Sequence, residues 1–204
     1  KASAEAFIEA YHVRETHSTG KLGDEVTTQY DVFGENVSRF IHTRGLNSPL
    51  KENPRSEDEL LAHLSGRMFG KGEFVLPEGM RARDYYAKLV QEQMGEKYGH
   101  DFTHLSESLT LDSIEYFLFP NAFFFPGLSL PMVYRFRPDP ESPDRCYFDL
   151  IFMRPRPLDG ETPDPPEIIH LPIETSYSSV EGVGPLGKIY DQDTANLAAQ
   201  TRGF

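Results

Sequence analysis

Three strand-like runs follow one another between residues 116 and 154: Tyr116–Phe125, Pro131–Pro138 and Cys146–Arg154. Short runs of aromatic and β-branched residues bounded by turn residues read as strands. The connector Pro-Asp-Pro-Glu-Ser-Pro-Asp, from Pro138 to Asp144, is turn-rich. Tyr147–Met153 is apolar on nearly both faces, which predicts a place in the middle of a sheet. Upstream, Glu25–Phe33 alternates, with Val26, Thr28, Tyr30 and Val32 on one face and Thr27, Gln29 and Asp31 on the other. Gly34-Glu35-Asn36 is a turn, and Val37–Thr43 is the return strand of a hairpin. With fifteen Phe, ten Tyr, sixteen Pro and sixteen Gly, the chain suits a β-rich cavity domain better than a helical bundle.

Helix signals are fewer. Ser56 before Glu57-Asp58-Glu59 caps a helix that runs to about Leu64. Arg81–Tyr98 is the strongest: Ala82, Tyr85, Tyr86, Leu89, Val90 and Met94 form an apolar stripe suited to packing. Gly182–Gly187 leads into a last helix from about Lys188 to Thr201, and the Pro- and acid-rich Arg154–Pro172 reads as a long surface loop. A chain of 204 residues with 38% hydrophobic content buries one sizeable core, so one domain is expected. The net charge of −12 argues against nucleic acid or an anionic membrane as partner. No apolar run reaches membrane-spanning length. The single Cys, Cys146, excludes an internal disulfide and any Cys-based iron–sulfur or structural zinc site within this chain. It fits a reducing, cytoplasmic compartment.

His12 and His17 stand five residues apart in Glu9-Ala10-Tyr11-His12-Val13-Arg14-Glu15-Thr16-His17. On a regular α-helix a step of five turns by about 140° beyond a full circle, so the rings diverge. They converge only if the helix loosens into a π-type turn or ends between them. Ala2–Tyr11 reads as a helix with Ala4, Phe7, Ile8 and Tyr11 on one stripe, and Val13 and Thr16 weaken helix after it. This predicts His12 at a helix end and His17 one irregular turn later. His100 and His104 are a rival pair at the better helical spacing of four, with Asp101 beside them, in a loop context after Gly99. A hydrolytic metal site is the chemistry that pair offers. On the last helix, Ile189, Asp193 and Leu197 lie at spacings of four, so Asp193 shares the inward stripe. Asp191 points about 160° away from Ile189 and is expected in solvent. Two His and one carboxylate with open positions is the ligand set of non-heme Fe(II) oxygenases.

Three segments carry a resemblance. Phe7-Ile8-Glu9-Ala10-Tyr11-His12, with Thr16-His17 after it, is the first. Phe119-Pro120-Asn121 and Val133-Tyr134-Arg135-Phe136-Arg137-Pro138 form the second. Asp191-Gln192-Asp193-Thr194-Ala195-Asn196, followed by Arg202-Gly203, is the third. In this order, and over nearly the whole chain, they resemble the catalytic domain of the Rieske non-heme iron ring-hydroxylating oxygenases, in their large (α) subunit. The chain departs from the family at Ala6, where relatives commonly have Asn.

The resemblance implies an α+β, helix-grip (START-like) fold, a curved antiparallel sheet around a long helix with an internal cavity. It implies a mononuclear Fe(II) held by His12, His17 and Asp193, with Glu9 as the acidic bridge for electrons from a Rieske 2Fe–2S cluster on a neighbouring subunit. One Glu9 carboxylate oxygen would accept from the ring N–H of His12. The substrate would be an aromatic small molecule, hydroxylated with O₂, usually to a cis-dihydrodiol. A ferredoxin or reductase would supply electrons, and the full-length subunit would form a homotrimer or an α3β3 assembly. The family's Rieske domain binds its cluster with two Cys and two His, and this chain has only one Cys. Residues 1–204 are therefore expected to be the C-terminal catalytic part of a longer subunit. A metal-free helix-grip carrier of apolar ligands is the alternative that aromatic richness fits equally well. An inward Asp193 facing two His separates the two.

Overall fold

The computed structural model describes residues 2–9, 11–17, 28–47, 49, 52–68, 74–156, 158 and 163–203. The Glu25–Thr27 part of the expected first strand lies outside them. The chain is α+β and divides into two compact units, Lys1–Asp24 with Pro163–Phe204, and Glu25–Thr162.

The larger unit holds a six-stranded antiparallel sheet in simple sequence order: β1 (Thr28–Phe33), β2 (Val37–His42), β3 (Ser113–Leu118), β4 (Ala122–Phe125), β5 (Met132–Asp139) and β6 (Ser142–Phe152). Gly34 closes the first hairpin with a positive φ of 64°, a conformation that costs a residue without Cβ nothing. The expected single strand Tyr116–Phe125 is two strands. Pro120 has no N–H for a ladder, and the chain reverses at Phe119-Pro120-Asn121 so that Phe117 pairs Phe123. Nor does β6 lie mid-sheet. It is an edge strand that, among the described residues, pairs with β5 alone, with Tyr147 at 51% and Ile151 at 47% exposure. Apolar residues on both faces of a strand do not by themselves bury both faces.

Between β2 and β3 lie α3 (Glu57–Met68), α4 (Ala82–Tyr98) and α5 (Glu107–Leu111), numbered after two N-terminal helices in the smaller unit. Ser56 and Glu59 form a reciprocal cap at α3: the Glu59 N–H donates to Ser56 Oγ, and the Ser56 N–H donates to the Glu59 carboxylate. Leu60, Leu61 and Leu64 of α3 pack with Ala82, Tyr86, Ala87 and Val90 of α4 and Leu111 of α5. Each large side chain in such a core contributes about 1.5–3 kcal/mol. The Arg83 guanidinium donates to both oxygens of buried Asp112, at 2.7 and 2.9 Å, and the Arg44 N–H donates to the same carboxylate. This ties the start of α4 to the start of β3.

The smaller unit contains α1 (Ala2–Ile8), α2 (Tyr11–Thr16), a single 3-10 turn (Tyr177–Ser179) and α6 (Leu186–Gly203). Gly187 lets the 3-10 turn lie directly on α6, since a Cβ there would meet the Ser178 Cα at 2.6 Å. The described residues from 153 to 176 carry no regular element, as the Pro content predicts. Among the described residues, no helix is long and apolar enough to cross a membrane.

Candidate metal centre

The expected helix over Ala2–Tyr11 breaks earlier, at Glu9, and a second short helix carries His12 in its first turn. His17 follows the end of α2, with its N–H still bonded to the Val13 carbonyl at 3.1 Å. The helix therefore ends between the two His, which is one of the two ways a spacing of five brings rings together. Their centroids lie 5.4 Å apart at 73°.

Asp193 is buried on α6, but the stripe it shares is Gly187, Tyr190 and Asp193, at spacings of three, and the expected partners Ile189 and Leu197 are only half-buried. Asp193 Oδ1 lies 3.1 Å from His17 Nε2 and 3.7 Å from His12 Nε2. The three ligand atoms fall within 4.8 Å of one another, and this is the group of three metal-ligating side chains found among the described residues. His17 and Asp193 are only 5% and 8% exposed. His100 and His104 stand outside the group. His100 Nε2 instead donates to the Arg156 carbonyl.

The far nitrogen of each ring is engaged. His12 Nδ1 donates to the backbone carbonyl of Glu9. His17 Nδ1 donates to Gln192 Oε1 at 2.9 Å. The Glu9 carboxylate does not make the bond expected of it. Where the helix breaks, the Glu9 carbonyl accepts from both the His12 ring and, at 3.4 Å, the His12 backbone N–H. With Nδ1–H fixed on both rings, both Nε2 atoms present lone pairs toward a carboxylate. Burial opposes a charge on His17, but the Asp193 carboxylate and the Gln192 carbonyl outweigh it, and its pKa is raised above the usual 6.5.

Two occupants satisfy this arrangement. A proton on His17 Nε2 bridges the 3.1 Å edge alone, because 3.7 Å is too long for a hydrogen bond. A divalent cation placed among the three would engage all of them, with the 3.7 Å edge closing slightly around it. Bonds of about 2.1 Å at tetrahedral or octahedral angles set donor atoms about 3.0–3.5 Å apart. Two neutral imidazoles and one carboxylate fit a first-row divalent ion with coordination positions to spare.

Asp191 is partly exposed, as expected, but its carboxylate is engaged. Its carboxylate accepts from Ser176 Oγ at 2.6 Å, from the Tyr177 N–H at 2.7 Å and from the Ser178 N–H at 3.2 Å. Burial works against its charge, but these donors outweigh it and lower its pKa. It anchors the 3-10 turn, while Asp193 faces the His pair. Asn196 Nδ2 donates to Thr16 Oγ1 at 3.3 Å and ties α6 to α2. Sequence reasoning missed Gln192, whose one signal was an amide side chain next to the inward acid. No family model, curated protein or solved structure matches the chain.

Proposed function

We propose that this chain is the catalytic domain of a Rieske-type aromatic-ring-hydroxylating oxygenase, with His12, His17 and Asp193 as the ligands of a mononuclear Fe(II). The observation that carries the reading is the convergence of two Nε2 lone pairs on one buried carboxylate, with both Nδ1 atoms already donating. Iron(II) bound there supplies the activation of O₂ for hydroxylation of an aromatic ring.

The chain's own residues do the rest. The Glu9 carbonyl and Gln192 hold the two imidazoles in the tautomer that leaves Nε2 free. Asp193 supplies the negative charge that offsets part of the cation's, and its burial keeps that charge from being screened by water. Three protein ligands leave adjacent positions open. Glu9 would be the bridge for electrons from a Rieske 2Fe–2S cluster on a neighbouring subunit, with a ferredoxin or reductase in the cytoplasm as donor, although it reaches His12 through its backbone carbonyl and not its carboxylate. The α+β architecture is compatible with a helix-grip fold, which this reading adopts.

The test is metal analysis of protein loaded with Fe(II) without oxygen. Near-stoichiometric iron in the wild-type chain, lost in His12→Ala, is the expected result. A wild-type chain that takes up no divalent metal would refute this reading and favour a metal-free carrier.

A further inference from the structure

The ring-lined face of the sheet is closed: Phe40, Glu115, Phe123, Phe125 and Tyr134 share it and are buried. Strand β6 is open. Among the described residues it pairs with β5 alone, and its Cys146, Tyr147, Ile151 and Phe152 are exposed. Two backbone bonds fix which groups point off this edge. The Met153 N–H donates to the Pro131 carbonyl at 2.8 Å, toward β5, and the Phe136 N–H donates to the Asn121 carbonyl at 2.9 Å, toward β4. Along an antiparallel strand, successive residues turn their N–H and C=O to opposite sides. Tyr147, Asp149 and Ile151 therefore face β5 with those groups, and Cys146, Phe148, Leu150 and Phe152 turn theirs outward.

A row of outward backbone groups is a template for another strand, and proteins blunt it with Lys, Pro, a bulge or a covering segment. The span Cys146–Phe152 contains neither Lys nor Pro. The register shift in this hairpin lies outside that span, between Pro138 and Asp139. Its one charge, Asp149, already accepts from Arg135 Nε at 2.8 Å and from Arg137 Nε at 2.7 Å. Arg137 also lies over the Tyr147 ring, 5.2 Å from its centroid. The metal centre uses none of these residues.

We infer that β6 pairs with β6 of a second copy of this chain, antiparallel about a two-fold axis at Tyr147, joining the two sheets into one. Outward residues must meet outward residues, so the axis passes through a residue and not between two. An axis at Asp149 sets carboxylate against carboxylate, and like charges directly opposite destabilise a pair. An axis at Tyr147 sets the exposed Arg145 opposite Asp149 on both sides. Arg145 is the one cation in β6, so no other axis within the strand gives Asp149 an opposite charge from the second copy. Asp149 Oδ1 accepts from Arg137 Nη2 at 2.9 Å and has a second lone pair for that guanidinium. Cys146 then meets Phe148 as a hydrogen-bonded pair, and the two Tyr147 rings meet at the axis. Such a contact buries the same patch on both copies and closes on itself. It holds with or without a metal at His12, His17 and Asp193.

The experiment is sedimentation velocity on the whole chain, in the presence of a chelator, from about 1 to 200 μM, the range suited to a small strand-pair interface. A monomer–dimer equilibrium is expected. Leu150→Pro deletes one outward N–H and no bond to β5, so it should abolish the dimer and keep the circular dichroism of the fold. Arg145→Glu should weaken dimerisation about tenfold, and it decides alone if the proline variant unfolds. Tyr147→Cys in a Cys146→Ser background sets two thiols opposite each other, about 4.5 Å apart at Cα, within disulfide reach. Diamide should oxidise them to an intermolecular disulfide, itself being reduced to the hydrazine. Cys146 in the wild type lies opposite Phe148 and should cross-link far more slowly. A monomer throughout the range would overturn the inference, as would a dimer indifferent to Arg145→Glu. Faster cross-linking at Cys146 would move the axis and refute the register. Growth beyond the dimer would mean that β6 meets β1 of the next copy, an open contact with no two-fold axis, and would overturn it too.

Discussion

Replacing Gln192 by Leu removes the acceptor that orients His17 and touches no ligand atom. The 2.9 Å bond to His17 Nδ1 lies beside a side chain only 4% exposed, so solvent has little room to substitute. Two consequences follow. Without metal, an orphaned ring N–H in a buried site costs about 1–3 kcal/mol of stability. With metal, losing the partner that fixes ring orientation weakens affinity about 10–100-fold, or about 1.4–2.7 kcal/mol. His12 makes a useful internal contrast, because its Nδ1 partner is a backbone carbonyl that no substitution deletes. The assay is a competitive titration of Fe(II) against a chelator without oxygen, repeated with Co(II). It is run at about pH 8, because the raised His17 pKa lets protons compete with the metal at lower pH. Gln192→Glu keeps an acceptor and should stay within about threefold of wild type. An unchanged dissociation constant in a folded Gln192→Leu variant would refute the view that this bond orients the ligand.

Asp193→Asn should lose most of its iron on metal analysis, whereas Asp191→Asn should keep it and instead loosen the 3-10 turn that Asp191 anchors. Asp112→Leu should cost about 3 kcal/mol in urea unfolding, since it leaves the buried Arg83 guanidinium with only Glu107 and the Arg44 carbonyl as partners. The double variant Arg83→Met/Asp112→Leu should recover most of that loss. Glu115 imposes a pH dependence of defined sign. Its folded pKa lies above the unfolded value of 4.5, so its contribution is fully present below 4.5 and is lost as pH rises through the folded pKa. The urea midpoint of Glu115→Gln should therefore gain on wild type from pH 4.5 upward, and a pH-independent difference would contradict the burial argument.

Much of this was legible in residue order. The α3 cap was visible in Ser56 and Glu59, α4 in its apolar stripe, and the first hairpin in Gly34 between alternating runs. The phase of α6 separated Asp193 from Asp191, and the odd spacing of His12 and His17 asked for a π-type turn or a helix end between them, of which the structure has the second. What stayed hidden depends on partners distant in sequence or on the backbone. The turn at Phe119–Asn121 sits within a continuous aromatic run, so hydrophobicity alone joined two strands. Pairing decided that β6 is an edge. The acceptor for His12 is a main-chain carbonyl, which no residue type announces. Glu115 lies just before the expected strand at Tyr116, and only the register places it among rings.

The candidate metal centre draws His12 and His17 from the first helices and Asp193 from the last, and the contact between His17 and Gln192 spans 175 residues. A cation held there closes that span much as a covalent crosslink does. In the chain-entropy picture, closing a loop of this length is worth on the order of 5 kcal/mol. The three side chains can come together only once α6 has been synthesised, after every strand of the sheet, so a metal bound there would be taken up late. Every variant that weakens the ligands should also let the two terminal segments part more readily, and chelation should sensitise α1, α2 and α6 to proteolysis together while the sheet of residues 28–152 stays protected.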